Sequence, residues 1–167
     1  MVKLVVLYSI LFFSIFQFDK SSKTSYQLKN EKLVYQLKMK NGKQLSVCID
    51  KDEKYIVYRY GSKNKIELEY PKEKDFSSFK KFEYSGWSRG GGIKNSAMEL
   101  KYLAFTNNGI KYVVYDTYFL EVDKLEAGIK VIESENKITD LKGLKKSRKG
   151  NLSDLKDKVN EGEELYD

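Results

Sequence analysis

Apolar and polar residues alternate with a period of two along most of this chain, the pattern of strands with one face buried and one face wet. Leu33, Tyr35, Leu37 and Met39 alternate with Val34, Gln36 and Lys38. Asn41 and Gly42 then supply a two-residue hairpin signal ahead of residues 44–50, which predicts an antiparallel pair. In residues 55–60, Ile56, Tyr58 and Tyr60 share one face and Tyr55, Val57 and Arg59 the other. Residues 61–64 turn the chain into Ile66, Leu68 and Tyr70, giving a second hairpin that Pro71 ends. Residues 72–79 read as a polar connection with a helical turn.

Residues 81–87 predict a further strand, followed by a glycine bend over 89–93. Residues 98–105 alternate, and Asn107, Asn108 and Gly109 then turn the chain into residues 110–120, which predicts a third and longest hairpin. Two short strands, 129–133 and 137–141, follow around a turn at 134–136. Beyond Gly150 the period lengthens: Leu152, Leu155 and Val159 recur at helical spacing behind Asn151 or Ser153 as a cap, predicting a short C-terminal helix. The fold class expected is mainly β, an antiparallel sheet system closed as a barrel or packed as a sandwich.

Residues 1–18 break the alternation. Lys3 precedes an almost unbroken apolar run over 4–16, the length of the central part of a secretory signal and short of the roughly 20 apolar residues a membrane span needs. No small-x-small cleavage pattern follows, so an uncleaved anchor is the alternative reading. The expected layout is a signal peptide at 1–18, one β-rich domain at 24–160 and an acidic tail at 161–167, with periplasmic or secreted placement and no membrane span once the signal is removed.

Composition changes the picture in three ways. The chain of 167 residues is 41% hydrophobic and 14% aromatic, enough for one core. Its net charge of +7 suggests an anionic partner, yet Arg59, Arg89 and Arg148 are its only arginines among 31 basic residues, and the lysines are interspersed with Glu and Asp. Phosphate and base recognition favours Arg, so nucleic acid is not expected as a partner. The densest basic stretch, 142–149, reads as a loop.

The absence of His removes the usual general base, thiol activator and commonest metal ligand. Cys48 is the sole cysteine. Strand alternation places it opposite the Leu45, Val47 and Ile49 face, so burial is expected ahead of pairing with another chain. Glu67, Glu69, Glu83, Glu99 and Asp116 fall on or near predicted strands, but no spacing selects a catalytic pair. No enzyme activity, cofactor or metal is expected.

One segment departs from the strand pattern. Ser85, Gly86, Trp87, Ser88, Arg89, Gly90, Gly91 and Lys94 lie in a stretch that holds the single Trp and four of the eleven Gly. Glycines permit positive φ or a close approach of backbone to a partner, and Trp and Arg are enriched in binding hot spots. Two readings stand: a loop that presents Trp87 and Arg89 to a partner, or a glycine bulge with Trp87 in the core and Arg89 merely solvated. The spacing fits neither the phosphate loop nor the dinucleotide fingerprint.

The runs LSVCID, YIVYRYG, IELEYP, YSGWSRGGG and LAFTNNGIKYVVYDTY together resemble small exported proteins of Gram-negative bacteria that carry no assigned activity. Ser85 and Gly86 are also similar to the loop of periplasmic lysozyme inhibitors, which push a Ser-Gly segment into an enzyme cleft; the rest of that loop motif is absent. The resemblance implies an exported compartment and the idea of an inhibitory loop. The expectation is therefore a non-enzymatic binding protein of the envelope, an inhibitor or immunity protein whose loop at 85–95 meets a protein partner. The alternative is a cationic module for an anionic envelope glycan or lipid.

Overall fold

The computed structural model of the chain describes residues 26–91 and 96–163. The expected signal segment lies outside them, and so does Lys94. The strands are β1 (Glu31–Lys38), β2 (Gln44–Asp50), β3 (Ile56–Ser62), β4 (Lys65–Tyr70), β5 (Glu83–Arg89), β6 (Met98–Asn107), β7 (Ile110–Phe119), β8 (Lys124–Ser134), β9 (Lys137–Lys142), β10 (Lys149–Gly150) and β11 (Asn160–Glu161). They form two sheets, in the orders β10-β1-β2-β3-β4 and β11-β5-β6-β7-β8-β9. Each neighbouring pair is antiparallel except β11, which runs parallel to β5.

The hairpin signals explain the order, because strands joined by short turns pair with each other. Gly42, Asn108 and Gly109 have positive φ, the conformation that tight connections require. The sheets face one another across a shared core. Leu37, Val47, Ile56 and Tyr58 from the first meet Leu103, Phe105, Val114 and Ile129 from the second. Phe105 sits among rings of both layers, 4.8 Å from Tyr58, 4.6 Å from Tyr70 and 5.0 Å from Tyr112 between centroids. Of the two expected closures the sandwich is found. It is not a closed barrel, although a bridge between Met39 and Gly143 joins one margin of each sheet.

Two expectations are corrected. The face Leu33, Tyr35, Leu37 and Met39 is not continuous: Leu33 stands opposite Cys48 but Tyr35 stands opposite Val47. The extra residue on β1 is a bulge, which turns Glu31 and Leu33 outward while Tyr35 and Leu37 enter the core. The C-terminal helix is also absent. Asn151 does cap a turn, its side chain accepting from the Ser153 N–H at 3.1 Å, but the 3-10 turn stops after Leu152–Leu155. Asp157 at φ 65° then redirects the chain so that β11 can pair with β5. The apolar spacing served burial: Leu152 and Leu155 are both fully buried. Asn151→Ala removes the cap and is expected to cost about 1 kcal/mol in a chemical denaturation curve.

The outer face of the first sheet is covered as well. The Tyr26 carbonyl accepts from Ser46 Oγ at 2.8 Å, Cys48 Sγ at 3.4 Å and Arg59 Nη1 at 3.2 Å. Cys48 is therefore buried, as alternation implied, and desolvation pushes its thiol up to about 12. Ellman's reagent is expected to leave Cys48 unmodified in the native chain and to titrate it fully in denaturant.

Beside it lies a buried ionic cluster. Arg59 clasps Glu31 through Nη1 to Oε2 at 2.6 Å and Nη2 to Oε1 at 2.8 Å, and reaches Glu69 through Nε at 2.6 Å. Glu31 further accepts from Tyr55 Oη and the Leu28 N–H. The β1 bulge is what presents Glu31 to Arg59.

Candidate partner-binding site

The residues singled out by composition prove to be a strand end. β5 carries Ser85, Gly86, Trp87, Ser88 and Arg89, so the expected loop at 85–95 is strand through Arg89; Gly90 and exposed Gly91 follow, with Lys94 outside the described residues. Antiparallel pairing with β6 explains why the strand persists through the glycine-rich run: Ser85 faces Tyr102, Gly86 faces Lys101, Trp87 faces Leu100, Ser88 faces Glu99 and Arg89 faces Met98.

Alternation then sorts the side chains. Ser85, Trp87 and Arg89 share the outer face of the second sheet, while Tyr84, Gly86 and Ser88 point to the other side. Trp87 is not in the core. It is 43% exposed, at the margin of an outer-face apolar cluster made by Tyr102, Ala104, Val113 and Tyr115 with Leu100 packed against it. The Arg89 guanidinium carbon lies 5.7 Å from the centre of the Trp87 ring, a cation–π arrangement between residues two apart on one strand face. Arg89 Nε donates to the Ser96 carbonyl at 3.2 Å, which fixes the direction of the side chain.

The three arginines differ in their partners. Arg59 is enclosed by Glu31 and Glu69, and Arg148 Nη1 pairs with Asp116 Oδ1. Among the described residues no carboxylate pairs with Arg89. Exposed apolar residues gather at the Arg89 end of the second sheet: Leu120 and Val122 follow β7, and Leu120 donates its N–H to the Ala97 carbonyl. Trp87, Arg89, Gly91, Leu120 and Val122 thus bring cationic, aromatic and aliphatic groups to one end of the second sheet.

Open clefts lie along β5. One of about 300 Å³ runs between Tyr84, Gly86 and the C-terminal segment at Lys156, Asp157, Asn160 and Glu161. A second, of about 310 Å³, is lined by Ser88, Arg89, Gly90, Met98, Glu99 and Tyr118. The contribution of Lys156 was not legible in the sequence, because the segment carrying it reads there as a helix remote from β5.

A larger groove of about 620 Å³ lies elsewhere, between β4 and the β6–β7 turn, with Glu67, Glu69 and Glu73 at its wall. Two of its carboxylates are engaged. Glu67 is 2.5 Å from Lys43, and Glu69 meets both Arg59 and Lys74. Burial pushes the Glu69 carboxyl up, but Arg59 and Lys74 together hold it below its ordinary value. A carboxylate so held is a poor proton acceptor.

Among the described residues no group of three or more His, Cys, Asp or Glu is placed to hold a metal ion, and no helix is long and apolar enough to cross a membrane. No family model, curated protein or solved structure matches this chain.

Proposed function

We propose that this chain is an exported, non-enzymatic binding protein of the bacterial envelope, an inhibitor or immunity protein that meets a partner protein through the end of β5. The observation that carries the reading is the Trp87–Arg89 pair: an exposed indole with a guanidinium laid against it, a cation that no carboxylate of the described residues ion-pairs, the nearby Glu99 being paired with Lys101. A partly exposed Arg that is not ion-paired is poised to meet an anion on a partner, and an amphipathic Trp supplies buried area at small entropic cost. Leu120 and Val122 add apolar area at the same end, which favours a protein surface over a purely anionic glycan or lipid.

The test is a pull-down from envelope extract with the full chain, run beside Trp87→Ala and repeated at high salt. A discrete protein band that survives salt and is lost with Trp87→Ala supports the reading. Capture of glycan or lipid alone, abolished by salt and indifferent to Trp87, overturns it in favour of a cationic surface.

A further inference from the structure

The chain holds two Asn-Gly pairs, Asn41–Gly42 in the turn between β1 and β2 and Asn108–Gly109 in the turn between β6 and β7, and all four residues are exposed. An asparagine side-chain amide is most open to attack by the following backbone nitrogen when that residue is glycine, which has no side chain to hinder the approach. By sequence the two sites are equals. The fold makes them different.

Every group that would react at Asn41 is held. Its Nδ2 donates to Tyr60 Oη at 3.0 Å, its Oδ1 accepts from the Lys43 N–H at 3.1 Å, and the Gly42 N–H donates to the Met39 carbonyl at 3.1 Å. Ring closure there would have to break these bonds. Asn108 differs at each point. Among the described residues no hydrogen bond reaches its side chain or the Gly109 N–H. Both residues have positive φ, 51° and 78°, as the tight turn between two long strands requires.

We infer that Asn108 is a site of spontaneous deamidation in the folded chain and that Asn41 is protected from it. The Gly109 nitrogen gives up its proton to solvent base and attacks Asn108 Cγ, the new C–N bond closes a five-membered succinimide, and the side-chain nitrogen takes up a proton and leaves as ammonia. Water then adds to one of the two imide carbonyls on either side of that nitrogen, and the C–N bond at the attacked carbonyl breaks. One opening gives aspartate at position 108 and the other isoaspartate, whose backbone runs through the former side chain. Water is the co-reactant, and no redox step enters.

Asn108 lines the groove of about 620 Å³ beside β4, together with Lys72 and Lys81. Its conversion places a new carboxylate there and lowers the net charge by one. The site lies at the end of the second sheet opposite Trp87 and Arg89, so it stands or falls independently of the binding reading.

The test is ageing of the full chain at mildly alkaline pH, with samples digested over time and each Asn-Gly peptide scored by mass spectrometry for conversion of amide to acid against a zero-time control. A parallel sample is aged in guanidinium chloride. In the native chain Asn108 is expected to react on the order of tenfold faster than Asn41, the effect of even one hydrogen bond of Asn41 that ring closure must break. In denaturant the two sites should react at comparable rates, because the bonds that protect Asn41 are gone. Equal native rates, a faster Asn41, or an Asn108 that stays intact over the period overturns the inference. A difference that persists undiminished in denaturant overturns it too, since the cause would then lie in the flanking residues and not in the fold.

Discussion

Arg59→Ala is expected to destabilise the fold by about 3–5 kcal/mol, because it removes one partner of a buried ion pair and leaves the other charged. For a domain of this size the melting temperature should fall on the order of 10 °C. Glu31 would lose both guanidinium bonds and keep only the Tyr55 hydroxyl and the Leu28 N–H. Replacing both partners, Glu31→Leu with Arg59→Met, is expected to recover much of the loss, since an apolar pair leaves no charge unpaired.

Acid sharpens the same prediction. Burial pushes the Glu31 carboxyl up, but its bonds to Arg59 and to the Leu28 N–H outweigh burial and hold it below the ordinary value of 4.5. Glu69 is held low in the same sense by Arg59 and Lys74. A carboxyl depressed in the folded chain contributes stability above its unfolded value and loses that contribution as pH falls through the folded value. The parent should therefore lose stability below about pH 4.5, in proportion to these shifts. In Arg59→Ala, burial of Glu31 meets no guanidinium, so this part of the pH dependence should flatten or reverse. Urea denaturation at a series of acidic pH values reads both outcomes.

Trp87→Ala is expected to weaken partner binding by about 2–4 kcal/mol, or some 30- to 1000-fold, the range of an aromatic anchor at the centre of an interface. Fold stability should change far less, by about 1 kcal/mol, because the indole is exposed on the outer face and loses mainly its cross-strand contact with Leu100. That separation distinguishes a binding anchor from a core residue. Arg89→Ala should fall between the parent and Trp87→Ala, since it removes the cation and the stacked plane but leaves the indole. Titration calorimetry and thermal melts on the same three chains measure the two effects side by side.

Hairpin chemistry made most of the fold legible. Asn41–Gly42 and Asn108–Gly109 placed the turns and with them β7, and period-two alternation placed β2, β3 and β6. What escaped was non-local. The β1 bulge, which turns Glu31 toward Arg59, has no local marker, because Leu33 to Met39 alternate without a break in the sequence. The pairing of β11 with β5 crosses more than seventy residues, and the helical spacing of Leu152, Leu155 and Val159 concealed it.

The candidate site was legible as composition and misread as conformation. Four glycines near Trp87 suggested a loop, whereas pairing with β6 carries the strand through Arg89. Exposure of Trp87 was undecidable from sequence, since tryptophan packs equally well into a core or onto a wet sheet face. The contribution of Lys156 needed the fold, because Lys156 and Gly86 meet at one cleft across seventy residues of chain.

Trp87 is the single tryptophan of the chain, so its emission reports on this surface alone. The most direct test of the binding site is iodide quenching of that emission, measured on the full chain alone and after complex formation with the envelope protein it captures, both at high salt. Ready quenching is expected in the free chain, and in the complex a blue-shifted emission shielded from iodide. Capture of the protein with Trp87 as quenchable as before would contradict it and place the binding surface elsewhere on the molecule.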